Sequence, residues 1–221
     1  MEPIDSGRVL LIDKPLGWTS FDVVKKLRGL LKIKKIGHAG TLDPLATGLL
    51  IICTGKMTKR IDTFQAQEKE YSGKLILGQT TPSYDLETEP TPPRDISAVT
   101  PQRIREMANQ FTGLIRQVPP LHSAIKVGGK RAYQLARTGS EATLKAREVT
   151  ISTFEITHTN LPEVGFRVVC SKGTYIRSLA HDVGQALGVG AYLSELCRTR
   201  IGEFLLKDAQ TLEGIAHEDL P

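Results

Sequence analysis

A chain of 221 residues, 40% hydrophobic and 24% charged, has the composition of a globular protein that buries its own core without disulfides or structural metal. The longest apolar run, Leu49 to Cys53, has five residues where a membrane helix needs ~20, and the opening Met1-Glu2-Pro3-Ile4-Asp5 has no secretory pattern. The net charge of +5 is uneven: residues 1–202 carry 28 basic against 19 acidic side chains, a balance that suits a polyanionic partner or simply a solvated surface.

In chain order, Arg8 to Asp13 reads as a buried strand stopped by the turn residues Lys14-Pro15-Leu16-Gly17. Ser20 is placed to cap a helix with a Phe21, Val24, Leu27, Leu31 stripe. That helix and the residues just after it carry Lys25, Lys26, Arg28, Lys32, Lys34 and Lys35, either a solvated face or a phosphate-binding one. Gly37 to Gly48 has loop composition, and Leu49–Thr54 and Lys69–Leu77 read as strands. Residues 78–100 form a long connection rich in proline and acid. Thr100-Pro101 then opens a helix with a hydroxyl cap and a first-turn proline.

Gly128-Gly129 marks a hairpin turn, followed by a short helix from Ala132 to Arg137. Glu148–Thr157 and Val164–Cys170 alternate as strands, and Thr174 is placed to cap a helix closed by Gly188. Ala191–Phe204 reads as the last strand, and Thr211 as the start of a short terminal helix. Strands and helices alternate irregularly with hairpin-like pairs. The expected fold is therefore α+β, a mixed, mainly antiparallel sheet with flanking helices.

Cys53, Cys170 and Cys197 form no C-x-x-C pair and read as small hydrophobes in a reducing compartment. Thr54-Gly55-Lys56-Met57-Thr58 imitates a phosphate-binding loop, but the preceding glycine is misspaced and Met57 stands where a magnesium-binding hydroxyl belongs. His38 and Asp43 are too few to hold a metal, and no G-x-S-x-G turn offers a nucleophilic serine. Asp43 remains. Pro44 pushes it out of helical geometry and displays its carboxylate on a shaped turn, although an ordinary turn aspartate has the same signature.

Gly37-His38-Ala39-Gly40-Thr41-Leu42-Asp43-Pro44-Leu45-Ala46-Thr47-Gly48 closely resembles the signature loop of the TruB-type pseudouridine synthases. Further segments match in the same order. They are Asp13 to Ser20, Lys69 to Gly73, Ser123-Ala124-Ile125-Lys126 through Gly129 to Tyr133, Cys170 to Arg177, and Leu196 to Arg200. The resemblance runs from residue 9 to about 206. It implies conversion of uridine to pseudouridine in the TΨC loop of tRNA, at tRNA position 55.

By the same resemblance Asp43 is the nucleophile, Arg177 the cation that keeps it ionised, and Tyr71 the aromatic lying against the target base as candidate general base. Leu196 corresponds to the residue lining the pocket floor, and His38 to the histidine that holds the loop's bases open when the target is extruded. Lys14, the Lys25–Lys35 run, Lys126, Lys130, Arg131 and Lys172 are then expected to meet RNA phosphates.

No cofactor and no metal is implied, and a cytoplasmic monomer with tRNA as partner and no membrane association is expected. His122 departs from the pattern, standing where many relatives carry an aromatic residue. Residues 1–221 are expected to form one catalytic domain without the C-terminal PUA domain of many bacterial relatives, which argues against a guide-RNA-dependent enzyme. Two other readings compete with this one: a tRNA-binding folding chaperone without essential catalysis, and a pseudouridine synthase for another RNA.

Overall fold

The computed structural model describes residues 7–123, 126–127, 130–132 and 144–215. β1 (Val9–Lys14) leads into α1 (Ser20–Leu31), β2 (Ile36–Ala39) and β3 (Ala46–Thr54). A 3-10 turn over Gly55–Arg60 and α2 (Ile61–Ala66) precede β4 (Lys69–Leu77). Next come α3 (Pro101–Gln110), β5 (Gly113–Gln117) and the antiparallel pair β6 (Lys126–Val127) and β7 (Lys130–Arg131). Then follow β8 (Arg147–Asn160), β9 (Glu163–Cys170), α4 (Ile176–Leu187), β10 (Ala191–Ile201) and β11 (Phe204–Leu205). The class is α+β with a mixed, mainly antiparallel sheet, as expected.

Two compact units divide the chain, residues 1–72 with 196–221 and residues 73–195. In the first unit β3 is the central strand. β1 and β2 run antiparallel to it, while the end of β10 runs parallel, with Leu196 opposite Ala46 and Arg198 opposite Gly48. Leu49, Leu50, Ile51, Ile52 and Cys53 of β3 are fully buried, so both of its faces carry core. One face packs Ile12, Leu50 and Ile52 with Val23, Val24 and Leu27 of α1. The other packs Leu49, Ile51 and Cys53 with Phe64 of α2 and Ile201.

Several local expectations change here. Residues 37–48 are not one loop: Ile36–Ala39 pairs with β3 over Thr54 to Ile51, and β3 itself begins at Ala46. Only residues 40–45 remain unpaired, because the long buried strand captures glycine- and threonine-rich neighbours on both sides. Gly48 sits in the left-handed region at φ +97°, and a Cβ there would lie 2.4 Å from the Arg198 carbonyl oxygen.

Thr19 rather than Ser20 caps α1. Its hydroxyl accepts from the Asp22 amide at 3.0 Å, and the Asp22 carboxylate accepts from the Thr19 amide at 2.9 Å. The last strand stops at Ile201 and turns back through Gly202 to β11, so it does not run on to Phe204. At Thr211 there is a hydrogen-bonded turn to Gly214 in place of a helix start.

In the second unit β8 pairs antiparallel with both β9 and β5. Val164, Phe166, Val168 and Cys170 of β9 are buried, the face read from the sequence, but Gly165 and Val169 are buried as well, so burial along the strand does not alternate. The helix opened by Thr100-Pro101 is present, with the Thr100 hydroxyl accepting from the Arg103 amide. The stripe Ile176, Leu179, Ala180, Val183 and Leu187 of α4 is buried, and Gly188 closes the helix at φ +80°. Thr174 does not cap it. Gln117 of β5 instead accepts from the Tyr175 amide at 2.8 Å and donates to the Tyr175 carbonyl at 3.0 Å, while the Thr174 hydroxyl donates to the Ser171 carbonyl. The Gly128-Gly129 turn and the helix expected up to Arg137 lie outside the described residues, Ala132 excepted.

Candidate active site

The β2–β3 connection holds Asp43, and buried donors pin its backbone. Arg198 is 1% exposed and donates from Nε to the Leu49 carbonyl at 2.8 Å, from Nη2 to Gly40 at 3.1 Å and from Nη1 to Thr41 at 3.5 Å. The Ser20 hydroxyl donates to the Leu42 carbonyl and accepts from the Leu42 amide. The Asp43 carbonyl accepts from the Ala46 amide at 3.0 Å, closing the Asp43-Pro44 turn. The Pro44 carbonyl accepts from the Gly17 amide at 2.8 Å and from Lys14 Nζ at 3.4 Å. Every carbonyl from Gly40 to Pro44 thus has a donor, and a loop with little core of its own holds one shape.

Lys14 cannot be a phosphate contact. It is fully buried, and its ammonium donates to the carbonyls of Pro15, Trp18 and Pro44. Burial pushes its pKa down to about 8; the Asp43 carboxylate raises it and the Arg198 charge lowers it further. The lysine that the sequence assigned to RNA is therefore a structural cation under the loop. His38 lies half-buried on β2, where burial first and then the Arg198 charge hold it below the usual imidazole range. A neutral ring suits contact with bases better than with phosphates.

Leu196 is half-buried on β10 opposite Ala46, the residue that closes the Asp43 turn. Tyr71 is 9% exposed on β4 and shares a strand face with buried Lys69, whose ammonium donates to the carbonyls of Gln65 and Gln67. Lys25, Lys26, Arg28, Lys32, Lys34, Lys35 and Lys172 are all exposed. Beside α1 opens a surface cavity of about 630 Å³, lined by Trp18, Lys25, Lys26 and Leu30 among others, and not by Asp43. Lys126 pairs with Arg131 and Val127 with Lys130 through the backbone of their hairpin; their side chains lie outside the described residues.

Arg177 belongs to the second unit. It is 4% exposed, in the first turn of α4, and donates from Nη2 to the His122 carbonyl at 2.9 Å and from Nη1 to the Ser83 carbonyl at 3.2 Å. Its Nε lies 3.6 Å from Asp85 Oδ2, an ion pair with both side chains buried. Asp85 is in turn oriented by the Glu87 amide at 3.0 Å. The unusual His122 contributes its backbone to this centre, and its ring stands 4.0 Å from Glu87.

Ser20, Arg198 and Asp85 are the residues whose site roles sequence reasoning missed. Asp85 had one readable signal, an acid among hydroxyl residues within a long connection. Thr81, Ser83 and Thr88 tie that segment together, and the Asp85 carbonyl accepts from both the Thr81 and Ser83 hydroxyls. Among the described residues no cluster of His, Cys, Asp and Glu has a metal-holding arrangement, and no helix is long and apolar enough to cross a membrane.

Comparison with known proteins places the chain plainly. Residues 28–176 match the family model described as TruB family pseudouridylate synthase, N-terminal domain. Residues 177–219 match that of the tRNA pseudouridylate synthase B C-terminal domain. The protein named tRNA pseudouridine synthase B of Phocaeicola vulgatus is 54% identical over 214 residues, covering 94% of this chain and 91% of that protein. Its namesake in Flavobacterium johnsoniae is 55% identical over 210 residues, covering 92% of each.

Among solved structures, the crystal structure of a Cbf5-Nop10-Gar1 complex contains a chain 34% identical, with a TM-score of 0.75 over 95% of this chain. A chain in the structure of an H/ACA RNP bound to a substrate RNA containing 2'-deoxyuridine is 31% identical, with a TM-score of 0.71 over 95% of this chain. This chain spans about half the length of those two, 53% and 52%.

Proposed function

The chain belongs to the TruB family of pseudouridylate synthases, and from that membership we propose that it converts uridine to pseudouridine in the TΨC loop of tRNA, at tRNA position 55, with Asp43 as nucleophile. The observation that carries the assignment to Asp43 is the frame beneath it. Five consecutive carbonyls, from Gly40 to Pro44, are held by Arg198, Ser20, Lys14 and backbone amides. A carboxylate on such a support meets its target without first paying to order the loop.

The reaction is an isomerisation. The Asp43 carboxylate attacks the target nucleotide, the bond from N1 of uracil to the ribose breaks, and the uracil turns and rejoins the ribose through C5. C5 then loses its proton, N1 ends with one, and release of Asp43 restores the carboxylate. Atoms and charge balance without an electron donor or a transferred group. Tyr71 is assigned the C5 proton, and Arg177 the task of holding the carboxylate charged and oriented. His38 and Leu196 are assigned contact with the extruded loop and its base. Lys25, Lys26, Arg28, Lys32, Lys34, Lys35 and Lys172, all exposed, are assigned the phosphates, and Lys126, Lys130 and Arg131 join them by the family resemblance.

The deciding experiment incubates excess enzyme with an unmodified tRNA transcript and maps pseudouridine by position. Wild type is expected to convert the TΨC-loop uridine. Asp43→Asn should give no product while binding tRNA within about a few-fold of wild type, since phosphate contacts dominate affinity. Product from Asp43→Asn, or conversion of ribosomal RNA in preference to tRNA in direct competition, would overturn the assignment.

A further inference from the structure

Tyr84 is a non-glycine residue in the left-handed region, at φ +65°, within the segment that supplies Arg177 with its partners. A side chain with a Cβ resists this conformation, and an aromatic one keeps it only where surroundings impose it. The flanking residues are Ser83, whose carbonyl accepts from Arg177 Nη1, and Asp85, whose carboxylate pairs with Arg177 Nε. Folding the chain back within a single residue lets a carbonyl and a carboxylate two positions apart converge on one guanidinium.

The Tyr84 ring lies on His181, with centroids 3.9 Å apart and planes inclined by 16°. His181 follows Arg177 by four positions on α4, so one helix face presents both the guanidinium and the imidazole. The His181 Nδ1 is buried with no hydrogen-bond partner among the described residues, so the observed contact of the ring is the stack. Two backbone bonds anchor the same residue, Tyr84 N–H to the Thr81 carbonyl and Leu193 N–H to the Tyr84 carbonyl.

We propose that Tyr84 and His181 are a positioning pair for the reaction: their stack locks the 83–85 turn onto α4 and so fixes Ser83 and Asp85 against Arg177. Neither ring is assigned contact with the reacting atoms. The proposal rests on the reading of Arg177 as the partner of the nucleophile.

The test measures single-turnover rates on a tRNA transcript, tRNA affinity by filter binding and thermal unfolding for each variant. Tyr84→Gly accepts the left-handed backbone without strain yet has no ring. It and His181→Ala should each lose on the order of tenfold to a hundredfold in rate, with affinity within about threefold. Tyr84→Phe keeps the ring and should restore a rate within about twofold of wild type, which assigns the effect to the ring and not to the hydroxyl. A rate loss in Tyr84→Gly that exceeds its unfolded fraction separates positioning from simple packing. The Tyr84→Gly, His181→Ala double variant should be no slower than the slower single one.

A near-wild-type rate for Tyr84→Gly, a slow Tyr84→Phe, or defects that simply follow the unfolded fraction would overturn the positioning role. Arg177→Lys separates the two levels, since it keeps the charge but not the planar fork. If it turns over normally, the reading of Arg177 fails. If it is slow while Tyr84→Gly and His181→Ala are fast, only the positioning pair fails.

Discussion

The Ser20 hydroxyl binds both ends of one peptide residue, accepting from the Leu42 amide at 2.8 Å and donating to the Leu42 carbonyl at 3.2 Å. It thereby ties the first turn of α1 to the residue preceding Asp43. Neighbouring Thr19 is the helix cap, so two adjacent hydroxyls do different work. Thr19→Ala should cost about 1 kcal/mol of stability through the lost cap and leave the single-turnover rate unchanged. Ser20→Ala leaves a buried amide and carbonyl unpaired, at about 1–3 kcal/mol, and should also slow turnover. Urea unfolding and single-turnover assays on the two variants check the separation; equal kinetic effects would contradict it.

Arg198 extends the same frame from β10. Its fork reaches the carbonyls of Leu49, Thr41 and Gly40 from three separate nitrogens, Nε, Nη1 and Nη2, a planar spread that the one nitrogen of a lysine does not reproduce. Arg198→Lys should lose about 1–3 kcal/mol for each buried acceptor left unpaired and fall in rate while tRNA affinity holds. Unfolding curves with filter binding measure both quantities, and a variant of full stability and rate would show that the fork is dispensable.

The exposed face of α1 predicts a different behaviour, in affinity alone. Lys25→Glu with Lys26→Glu should weaken tRNA binding and flatten the dependence of log affinity on log salt by roughly 1.4–1.8, at ~0.7–0.9 per lost phosphate contact. The rate at saturating enzyme should not move. Salt titrations of binding decide it, and an unchanged slope would place this face away from RNA.

Asp182 on α4 offers a stability test. Burial raises its pKa from the ordinary 3.8 to about 6. Between these values the unfolded chain has already released the proton that the folded protein keeps. Folding is therefore favoured by the protonated form, and stability falls as pH rises through about 6. Asp182→Asn removes this penalty. It should be more stable than wild type at about pH 8 by on the order of 1–2 kcal/mol, with the advantage shrinking towards about pH 4.5. Thermal melts at both values check the sign, and an advantage that grew on acidification would refute it.

The elements legible in the sequence are those whose signals lie within a few residues of one another. The Thr100-Pro101 start of α3, the Gly188 stop of α4 and the apolar stripe of α4 need no distant partner to be recognised. Asp43 was singled out by the contiguous twelve-residue loop around it and that loop's family resemblance, since its turn chemistry alone also fits an ordinary turn aspartate.

What only the tertiary structure decided is where polar side chains end up. Lys14 reads as a surface cation until its ammonium is seen against the Pro44 carbonyl, 30 positions away. Arg198 finds Gly40 across 158 positions, Ser20 finds Leu42 across 22, and Arg177 finds Ser83 across 94. A buried charge or hydroxyl is stable only where carbonyls or amides replace its water, and those groups exist at the right place only after the sheet has brought remote segments together. Backbone groups carry no residue-specific signature, so the carbonyls and amides that receive Lys14, Ser20 and Arg198, and the Ser83 and His122 carbonyls that receive Arg177, leave no mark in the sequence that local pattern can read.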